Sequence, residues 1–372
     1  NFETPHIPAA ELQAMKDRGE DLVIVDSRPM PEFENMSIPG GIDVPGAELA
    51  LRIHDIAPDP DTTIVVNCAG RTRSIIGAQS LINAGVKNRV VALENGTMGW
   101  HLAGLELARG QTQSFTPVSD EGLNRALECA KGVAARFEVP EIDVATLDKW
   151  REDTTRTLYV LDVRGRREYE AGHLAYARWA PGGQLVQATD RTVGVKGARL
   201  VLVDDNGVRA TMTASWLIQM GWNDTYVLND ALESGPLVKE SHQPHVFGLE
   251  AATPETVSPH ALSALMVGGG AIVVDLTDSR DHRNGHIPGS RFAIRANLPG
   301  NLDAIPDAIS GGAKIVLTST DGVLARLAAV DAILSGRDVK VLDGGTGAWA
   351  DAGLPLATGF KDALDDTVDV WY

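Results

Sequence analysis

The chain has 372 residues, which at about 150 residues per domain predicts two or three domains. It carries 33 Lys and Arg against 50 Asp and Glu, so its net charge is −17. This charge argues against a nucleic-acid or membrane partner, since both need clustered positive charge. With Cys68 and Cys129 as its two cysteines, the chain has no disulfide framework or cysteine-rich zinc site, and we expect a reducing, cytoplasmic location.

The ends of the chain and its hydropathy allow two further expectations. No apolar run approaches the roughly 20 residues that span a bilayer. The first residue is Asn1 and not Met, so a signal peptide or a further domain missing from this chain stays an open alternative.

The predicted elements recur three times along the chain, in the same order and at matching distances. Each copy opens with an apolar phrase of helical spacing and continues with a β-branched strand that ends at an Asp. The helical phrases are Ile7–Met15, Ile142–Trp150 and Val257–Met266. The strands end at Asp26, Asp162 and Asp275.

A second apolar strand follows in each copy and leads into an amphipathic helix. The three second strands end at Cys68, Asp204 and Ser319. Each helix closes at a glycine 17 residues further on, in the position that favours a left-handed backbone, at Gly85, Gly221 and Gly336. A third strand then completes the copy (RVVAL, TYVLN and VKVLD).

Strands that alternate with helices predict an α/β fold with a parallel central sheet in each copy, flanked by helices. We expect three tandem domains, at residues 1–112, 138–240 and 253–359. A helical linker at 113–137 joins the first two domains, and residues 360–372 form a tail.

The candidate chemistry lies in the loop after the second strand. The three loops read CAGRTR at 68–73, DDNGVR at 204–209 and STDGVL at 319–324. A loop between a strand and a helix converges its backbone N–H groups at the helix N-terminus, which attracts an anion. A thiol placed there is favoured as the nucleophilic thiolate, and Arg71 and Arg73 add positive charge in the first domain.

The repeated unit resembles the rhodanese family in three features. These are an Asp-x-Arg after the first strand, a Gly-His-Ile-x-Gly phrase, and a six-residue loop that opens with Cys. The phrases NCAGRTRS, PGGQLVQ, VLVDDNGVRA and LDGGTGAW are similar to those of multidomain rhodaneses that are thiosulfate sulfurtransferases.

The resemblance implies a ping-pong sulfur transfer with small-molecule partners. A thiolate takes the outer sulfur of thiosulfate or a similar donor as a persulfide, sulfite leaves, and cyanide or a thiol accepts the sulfur. It implies neither an organic cofactor nor a metal, because the carrier is a side chain.

The resemblance also assigns roles to individual residues. Cys68 is the persulfide carrier, and Asp26 supports its loop from the neighbouring strand. The residues expected to form the loop or bind the substrate are Ala69, Gly70, Arg71, Thr72, Arg73 and Arg28. Asp204 would repel an anionic donor and the Ser319 hydroxyl is no sulfur carrier, so we expect the second and third domains to be inactive.

Three further features of the sequence bear on the candidate site: a missing histidine, a pair of histidines and the second cysteine. Ser37 departs from the family pattern, since it replaces the histidine present at His173 and His286. His282 and His286 have the spacing of metal ligands on a helix, but the repeat aligns His286 with His173, and we expect no metal site. Cys129 is predicted as a helix residue without a role in catalysis.

Two other functions remain as alternatives. The chain could be a non-catalytic, rhodanese-like binding or regulatory scaffold, since two of its three loops lack Cys. A related Cys-dependent phosphatase is disfavoured, because such enzymes place the loop Arg six residues after the Cys, and Arg73 is five after Cys68. We further expect the second and third domains to cover or shape the mouth of the Cys68 site.

Overall fold

The structure, a computed structural model, describes residues 3–233, 235–239, 246–305, 312–334 and 336–370. The chain forms two compact units, residues 1–243 and 244–372. The first unit contains two copies of the repeat and the second unit contains one. Within the described ranges, no helix is both long and apolar enough to cross a membrane.

The first domain is a parallel sheet flanked by helices. Its elements are β1 (His6–Ile7), α1 (Ala9–Asp17), β2 (Leu22–Asp26), α2 (Met30–Asn35), β3 (Ile42–Asp43), α3 (Leu49–Ile56), β4 (Thr63–Asn67), α4 (Thr72–Asn83), β5 (Val90–Leu93) and α5 (Gly96–Leu102). The strand order is β1-β5-β4-β2-β3, and every pair is parallel. All five side chains of β4 are buried, which is the expected position for a continuous apolar run.

The second domain repeats this order. Its elements are β6 (Glu141–Ile142), α7 (Val144–Glu152), β7 (Leu158–Asp162), α8 (Arg166–Ala171), β8 (His173–Leu174), β9 (Arg178–Trp179), α9 (Gly182–Gln187), β10 (Arg199–Val203), α10 (Val208–Gln219), β11 (Thr225–Leu228) and β12 (Leu237–Val238). The main sheet has the order β6-β11-β10-β7-β9, and β8 pairs with β12 in a separate antiparallel ribbon.

The third domain forms the second unit and has the same parallel sheet, ordered β13-β17-β16-β14-β15. Its elements are β13 (Thr256–Val257), α11 (Pro259–Val267), β14 (Ala271–Asp275), α12 (Ser279–Asn284), β15 (Arg291–Phe292), α13 (Leu298–Asp303), β16 (Lys314–Thr318), α14 (Val323–Leu334), β17 (Val339–Leu342) and α15 (Gly345–Asp351). The expected α/β class with three tandem domains is therefore confirmed.

A long helix, α6 (Asp120–Phe137), packs between the first two domains. Ser119 begins it, with its Oγ accepting a hydrogen bond from the Gly122 N–H. The buried side chains that join α6 to α3 and α10 are mostly small or branched, and they include Ala50, Leu51, Ala126, Ala130, Val133, Val208 and Met212. The first and second domains therefore share one apolar core layer.

The predicted elements differ from the structure mainly at their first residues. Ile7, Ile142 and Val257 were expected to open helices, but each lies in a two-residue strand that pairs with the last long strand of its sheet. The Ile or Val at this position is buried or half-buried at the sheet edge, and a proline or a capping Asp or Ser starts the helix one residue later. The predicted closing glycines do adopt left-handed backbone, with φ of 74° at Gly85 and 91° at Gly221.

Candidate active site

Cys68 is the first residue after β4, at the carboxyl end of the parallel sheet. The predicted strand therefore ends one residue earlier than expected, and the cysteine belongs to the loop. Its side chain is buried, with a relative exposure of 2%, while the following residues Ala69 to Arg73 are half-buried or exposed. Ligands bind at this edge in parallel α/β sheets, so the position favours chemistry on the thiol.

The backbone N–H groups of the Cys68 loop are open. From Ala69 to Ser74, none of the six N–H groups donates to an acceptor within the described part of the chain. α4 starts at Thr72 and has no side-chain cap. Uncapped N–H groups at a helix N-terminus form an anion-binding cup, and here the loop that supplies them begins at a cysteine.

The same positions in the second domain are occupied by the chain's own carboxylate. Asp204 Oδ1 accepts a hydrogen bond from the Gly207 N–H at 2.6 Å, and its Oδ2 accepts from the Ala210 N–H at 3.1 Å. Burial raises the pKa of Asp204 to about 6, against the opposing charge of Arg209. An internal anion therefore fills the second cup.

The third domain fills its cup with a hydroxyl. Ser319 Oγ accepts a hydrogen bond from the Ala325 N–H at 3.2 Å, and Asp321 Oδ1 accepts from the Val323 N–H at 2.9 Å. In the residues that the structure describes, each of the other two loops has three of the six equivalent N–H groups bonded to an acceptor, whereas the Cys68 loop has none.

The turn between β5 and α5 holds the Cys68 loop from behind. The Thr97 N–H donates to Cys68 O at 2.8 Å, and the Met98 N–H donates to Ala69 O at 3.0 Å. Gly96 has a left-handed φ of 52°, and a Cβ there would lie 2.2 Å from Cys68 O. Only glycine allows the two segments to approach so closely.

Arg73 is anchored at the end of the loop. Its Nη1 and Nη2 donate to the two carboxylate oxygens of Glu32 at 2.8 and 2.7 Å, a fork that fixes the guanidinium. The hydrogen bonds that Arg73 donates to Glu32 raise the pKa of Arg73 above its ordinary value, and the charge of Cys68 acts in the same direction. The equivalent residues of the second domain, Arg209 and Glu168, form the same pair.

Asp26 and Arg28 form a buried pair beneath the loop. Arg28 Nε and Nη2 donate to the two oxygens of Asp26, both at 2.8 Å, and Nη2 also donates to Met36 O. Asn67 Nδ2 donates to Asp26 Oδ2 at 2.6 Å, which links the pair to the residue before Cys68. The relative exposure of Arg28 is 1%, and its hydrogen bonds place it beneath the loop, in the position of a supporting residue.

The other predicted positions lie as follows. Arg71 and Thr72 are exposed on the rim of the loop, and Gly70 has open space where a side chain would be. Ser37, in place of histidine, is buried, with an Oγ that has no partner in the described chain. Cys129 lies on α6, with its Sγ 3.6 Å from His54 Nε2, and burial raises the pKa of this thiol.

The two histidines of the third domain stack ring on ring, with centroids 4.1 Å apart. His282 Nδ1 lies 2.8 Å from Asp275 Oδ2, and His286 Nδ1 lies 2.8 Å from His282 O. The rings of Phe292 and Phe360 pack against His282. Packing and the pairing with Asp275 account for the spacing of these histidines.

Sequence reasoning missed a buried carboxyl beside the site. Asp43 is the register partner of Asp26 on the neighbouring strand, and its Oδ1 is buried without a partner in the part of the chain that the structure describes. Burial and, secondarily, the charge of Asp26 raise the pKa of Asp43 to about 7, although Arg28 opposes the shift. The other domains have aromatic residues at this position, Trp179 and Phe292. A carboxyl group where the other copies of the repeat have an aromatic side chain is the feature of the sequence that could have revealed Asp43.

The second domain lies against the Cys68 loop. A cavity between the first two domains is lined by Ser27 and Arg73 from the first and by Gly182, Gly183 and Trp216 from the second, among others. Trp216 Nε1 donates to Ser80 Oγ across this boundary at 2.7 Å. The second domain thus forms one wall beside the end of the loop.

Comparisons with known proteins agree with this architecture. The family model for the rhodanese-like domain matches three segments, residues 8–103, 143–234 and 258–352. These segments together contain more than half of the chain.

Individual proteins are also similar to the chain. The crystal structure of a thiosulfate sulfurtransferase from Pseudomonas aeruginosa is 46% identical, with a TM-score of 0.88, over 99% of this chain and 69% of that one. An HTH-type transcriptional regulator from Mycobacterium tuberculosis is 36% identical over 104 residues. This second match covers 28% of the chain and spans less than half of the regulator, 45% of its length.

Proposed function

The chain belongs to the rhodanese family, and from that premise we propose that it is a sulfurtransferase whose first domain carries sulfur on Cys68. One observation carries the proposal: the loop that surrounds the only cysteine among the three equivalent positions is also the loop whose N–H groups are open. An anion-receptive cup and a nucleophile then coincide in one domain.

The reaction has two balanced half-steps. The Cys68 thiolate forms a bond to the outer sulfur of thiosulfate or a similar donor, and the sulfur–sulfur bond of the donor breaks, so that sulfite leaves with its electron pair. Cyanide or a thiolate then attacks the outer persulfide sulfur, takes it, and restores the Cys68 thiolate. The loop N–H groups stabilise the negative charge of the donor and of the persulfide.

Each supporting residue has a separate task in this scheme. Glu32 fixes Arg73 at the loop end, where its positive charge faces the Cys68 region. The buried pair of Asp26 and Arg28 holds the strand end through Asn67. The burial of Cys68 favours small donors, since a bulky ester has little access to a residue that is 2% exposed.

The second and third domains are proposed to carry no sulfur. Asp204 and Ser319 occupy the cups that an anionic donor would need. This favours the scaffold alternative for these two domains alone. The phosphatase alternative also predicts hydrolysis of phosphate esters, and we expect the protein to show none above the level of its Cys68→Ser variant.

The test is the mass of the intact protein after incubation with thiosulfate. We expect a gain of one sulfur, about 32 Da, which peptide analysis places on Cys68. Cys68→Ser should lose both the adduct and thiocyanate formation, whereas the matched Cys129→Ser should keep both. An adduct on Cys129 alone, or no adduct with thiosulfate, mercaptopyruvate or a persulfide donor, would refute the proposal.

A further inference from the structure

Arg209 of the second domain is buried in a cluster of carboxylates. It stands five residues after Asp204, at the position that Arg73 has in the first domain, and its side chain is fully buried. Its guanidinium donates to Glu168 at 2.7 and 3.1 Å and to Asp205 at 2.6 Å.

A third carboxylate reaches Arg209 from the first domain. Glu48 Oε1 accepts from Arg209 Nη1 at 2.6 Å, and Glu48 Oε2 accepts from Arg52 Nε at 3.0 Å. Glu48 is itself buried, at 4% exposure. Burial alone would lower the pKa of Arg209, but the charge of Glu48 and the hydrogen bonds to Glu168 raise it overall. A buried, multiply bonded ion pair therefore connects the two domains.

Glu48 ends a segment that leads back to Cys68. In the segment 44–48, the Val44 N–H donates to Asp26 O at 2.8 Å and the Gly46 N–H donates to Ser27 O at 3.2 Å. The N–H and the Oγ of Ser27 both donate to Asn67 O at 2.9 Å. Asn67 is the residue before Cys68, so an unbroken series of contacts connects Arg209 with the strand end that presents the cysteine.

The repeat shows that the second-domain arginine has a carboxylate partner in the first domain, whereas the first-domain arginine has no such partner in the described part of the second. Glu48 and Gln184 lie 22 residues after the strand-end Asp of their domains, so an uncharged amide replaces the carboxylate in the second domain. Asp205 likewise corresponds to Ala69. Arg209 thus has three carboxylate partners, whereas the ion pair of Arg73 in the described chain is with Glu32 alone.

We propose that Arg209 is a positioning residue for sulfur transfer: through Glu48 it holds the 44–48 segment and Ser27 against the Asn67 carbonyl, and so fixes Cys68 beneath its loop. This inference rests on the proposed function of Cys68. The non-catalytic second domain then contributes one arginine to the geometry of the site, and no substrate contact.

Two variants test this role with different risks to folding. Arg209→Met leaves Glu168 and Asp205 without their counter-charge and can fail to fold. Glu48→Gln removes the cross-domain charge and the charge that pairs with Arg52, while Arg209 keeps its two partners in the second domain. The matched control is Arg199→Met, which breaks a pair with Asp153 at the opposite end of the same sheet.

Two measurements are made on full-length protein at a temperature where circular dichroism shows every variant folded. The first is thiocyanate formation from thiosulfate and cyanide, resolved into kcat and KM. The second is the rate of Cys68 alkylation by iodoacetamide, followed by peptide mass spectrometry, which requires no sulfur transfer.

We expect Glu48→Gln to lower kcat about tenfold with KM within about twofold, since the nucleophile and not the donor site is displaced. In Glu48→Gln the rate of Cys68 alkylation should differ from that of the wild type. In Arg199→Met it should equal that of the wild type. Where Arg209→Met folds, adding Glu48→Gln to it should have no further effect, because both act through one contact.

The outcomes separate the two proposals. Unchanged kcat and alkylation in Glu48→Gln, or equal losses in Arg199→Met, would overturn the positioning role and leave the function of Cys68 intact. A wild-type protein without sulfur transfer, whose Cys68 alkylation still responds to Glu48→Gln, would refute the proposed function while supporting the contact between Arg209 and the cysteine.

Discussion

At the scale of single residues, the three loops differ by what their first side chains do to the backbone. Asp204 and Ser319 turn back and accept N–H groups of their own loops, whereas Cys68 leaves its loop N–H groups to an incoming anion. The residue that replaces the nucleophile thus also becomes an acceptor for loop N–H groups, and Asn206 and Asp321 each accept one more.

A negative charge beside Cys68 should impair the site. Asp205 is the second-domain counterpart of Ala69, and its carboxylate binds the loop-end arginine four residues later. Ala69→Asp would place the same charge between Cys68 and Arg73. We expect kcat/KM for thiosulfate to fall about tenfold or more, because the charge repels the anionic donor and engages Arg73.

The control for this prediction is Ala69→Ser, which adds a small neutral group at the same half-buried position. We expect it to stay within about twofold of wild type in the same steady-state assay. Equal activity of the Asp and Ser variants would show that the loop does not bind the donor through charge.

Asp43 gives the fold a pH dependence with a defined sign. Its pKa rises from 3.8 in the unfolded chain to about 7 in the native state, so the native state holds the proton more tightly. Stability should therefore decrease as the pH rises from about 4 through 7. Asp43→Asn removes this contribution, and between pH 5 and pH 8 its stability should change with pH by about 2 kcal/mol less than that of the wild type.

Urea unfolding of the first unit at pH 5 and pH 8, for wild type and Asp43→Asn, measures this difference. Asp26 and Arg28 are the charged groups that face Asp43, and both are retained in the variant. A pH dependence as large in Asp43→Asn as in wild type would exclude Asp43 as its source.

At the scale of elements, the turn from β5 to α5 is as much a part of the site as the loop itself. Gly96 and Gly104 both have left-handed φ, 52° and 77°. A Cβ at Gly96 would overlap Cys68 O and Gly70 O, whereas a Cβ at Gly104 meets no atom within 4 Å. Replacing either glycine by alanine therefore carries the same penalty for a left-handed φ, but only the substitution at Gly96 would disturb the loop.

Gly96→Ala should therefore lose sulfur transfer, by about 100-fold if the loop moves by about 1 Å, and Gly104→Ala should not. Both variants should lose about 1 kcal/mol of stability to the φ penalty. Steady-state rates and thermal denaturation of the pair separate the two effects. Equal activity in both variants would contradict the role of the β5–α5 turn in holding Cys68.

The elements with strong apolar runs were predictable from the sequence, and those without were not. β2 and β4 are continuous runs covered on both faces, and the glycine after α4 marks its end. The two-residue strands, such as β3 and β9, are too short to produce a periodic pattern.

The features of the site can likewise be divided into those that the sequence predicts and those that it does not. The spacing of the repeat predicted the positions of Cys68 and Arg73, and it also relates Glu32 to Glu168, so the Arg73–Glu32 pair could have been found there. Whether a side chain folds back onto its own loop, as Asp204 does, depends on rotamers and backbone geometry that spacing does not encode.

At the scale of the whole molecule, α6 joins the first two domains through one buried layer, and we expect the two to unfold as one cooperative body. Val133 is fully buried in the layer that joins α6 to α3 and α10. Val133→Ala should cost about 1–2 kcal/mol through the lost methyl groups and the cavity they leave. We expect this loss to destabilise both domains together, since the layer belongs to both.

Hydrogen exchange tests this cooperativity. In Val133→Ala, peptides from β4 and from β10 should lose protection to the same extent, while those from β16 stay unchanged. The reciprocal variant Val316→Ala, at a buried position of the third domain, should affect β16 alone. A change confined to β10 in the first variant would show that the two domains unfold separately.

The carboxylate of Asp204 has a consequence for how a persulfide would be held on Cys68. Because Asp204 stands at the cysteine position of its own domain, its two oxygens lie one bond beyond the atom that corresponds to Sγ, which is also where the outer sulfur of a persulfide lies. The N–H groups that donate to Asp204 belong to Gly207 and Ala210, and their counterparts in the first domain are those of Arg71 and Ser74. The second domain thus contains, as a permanent side chain, an oxygen analogue of the charged intermediate that we propose for the first.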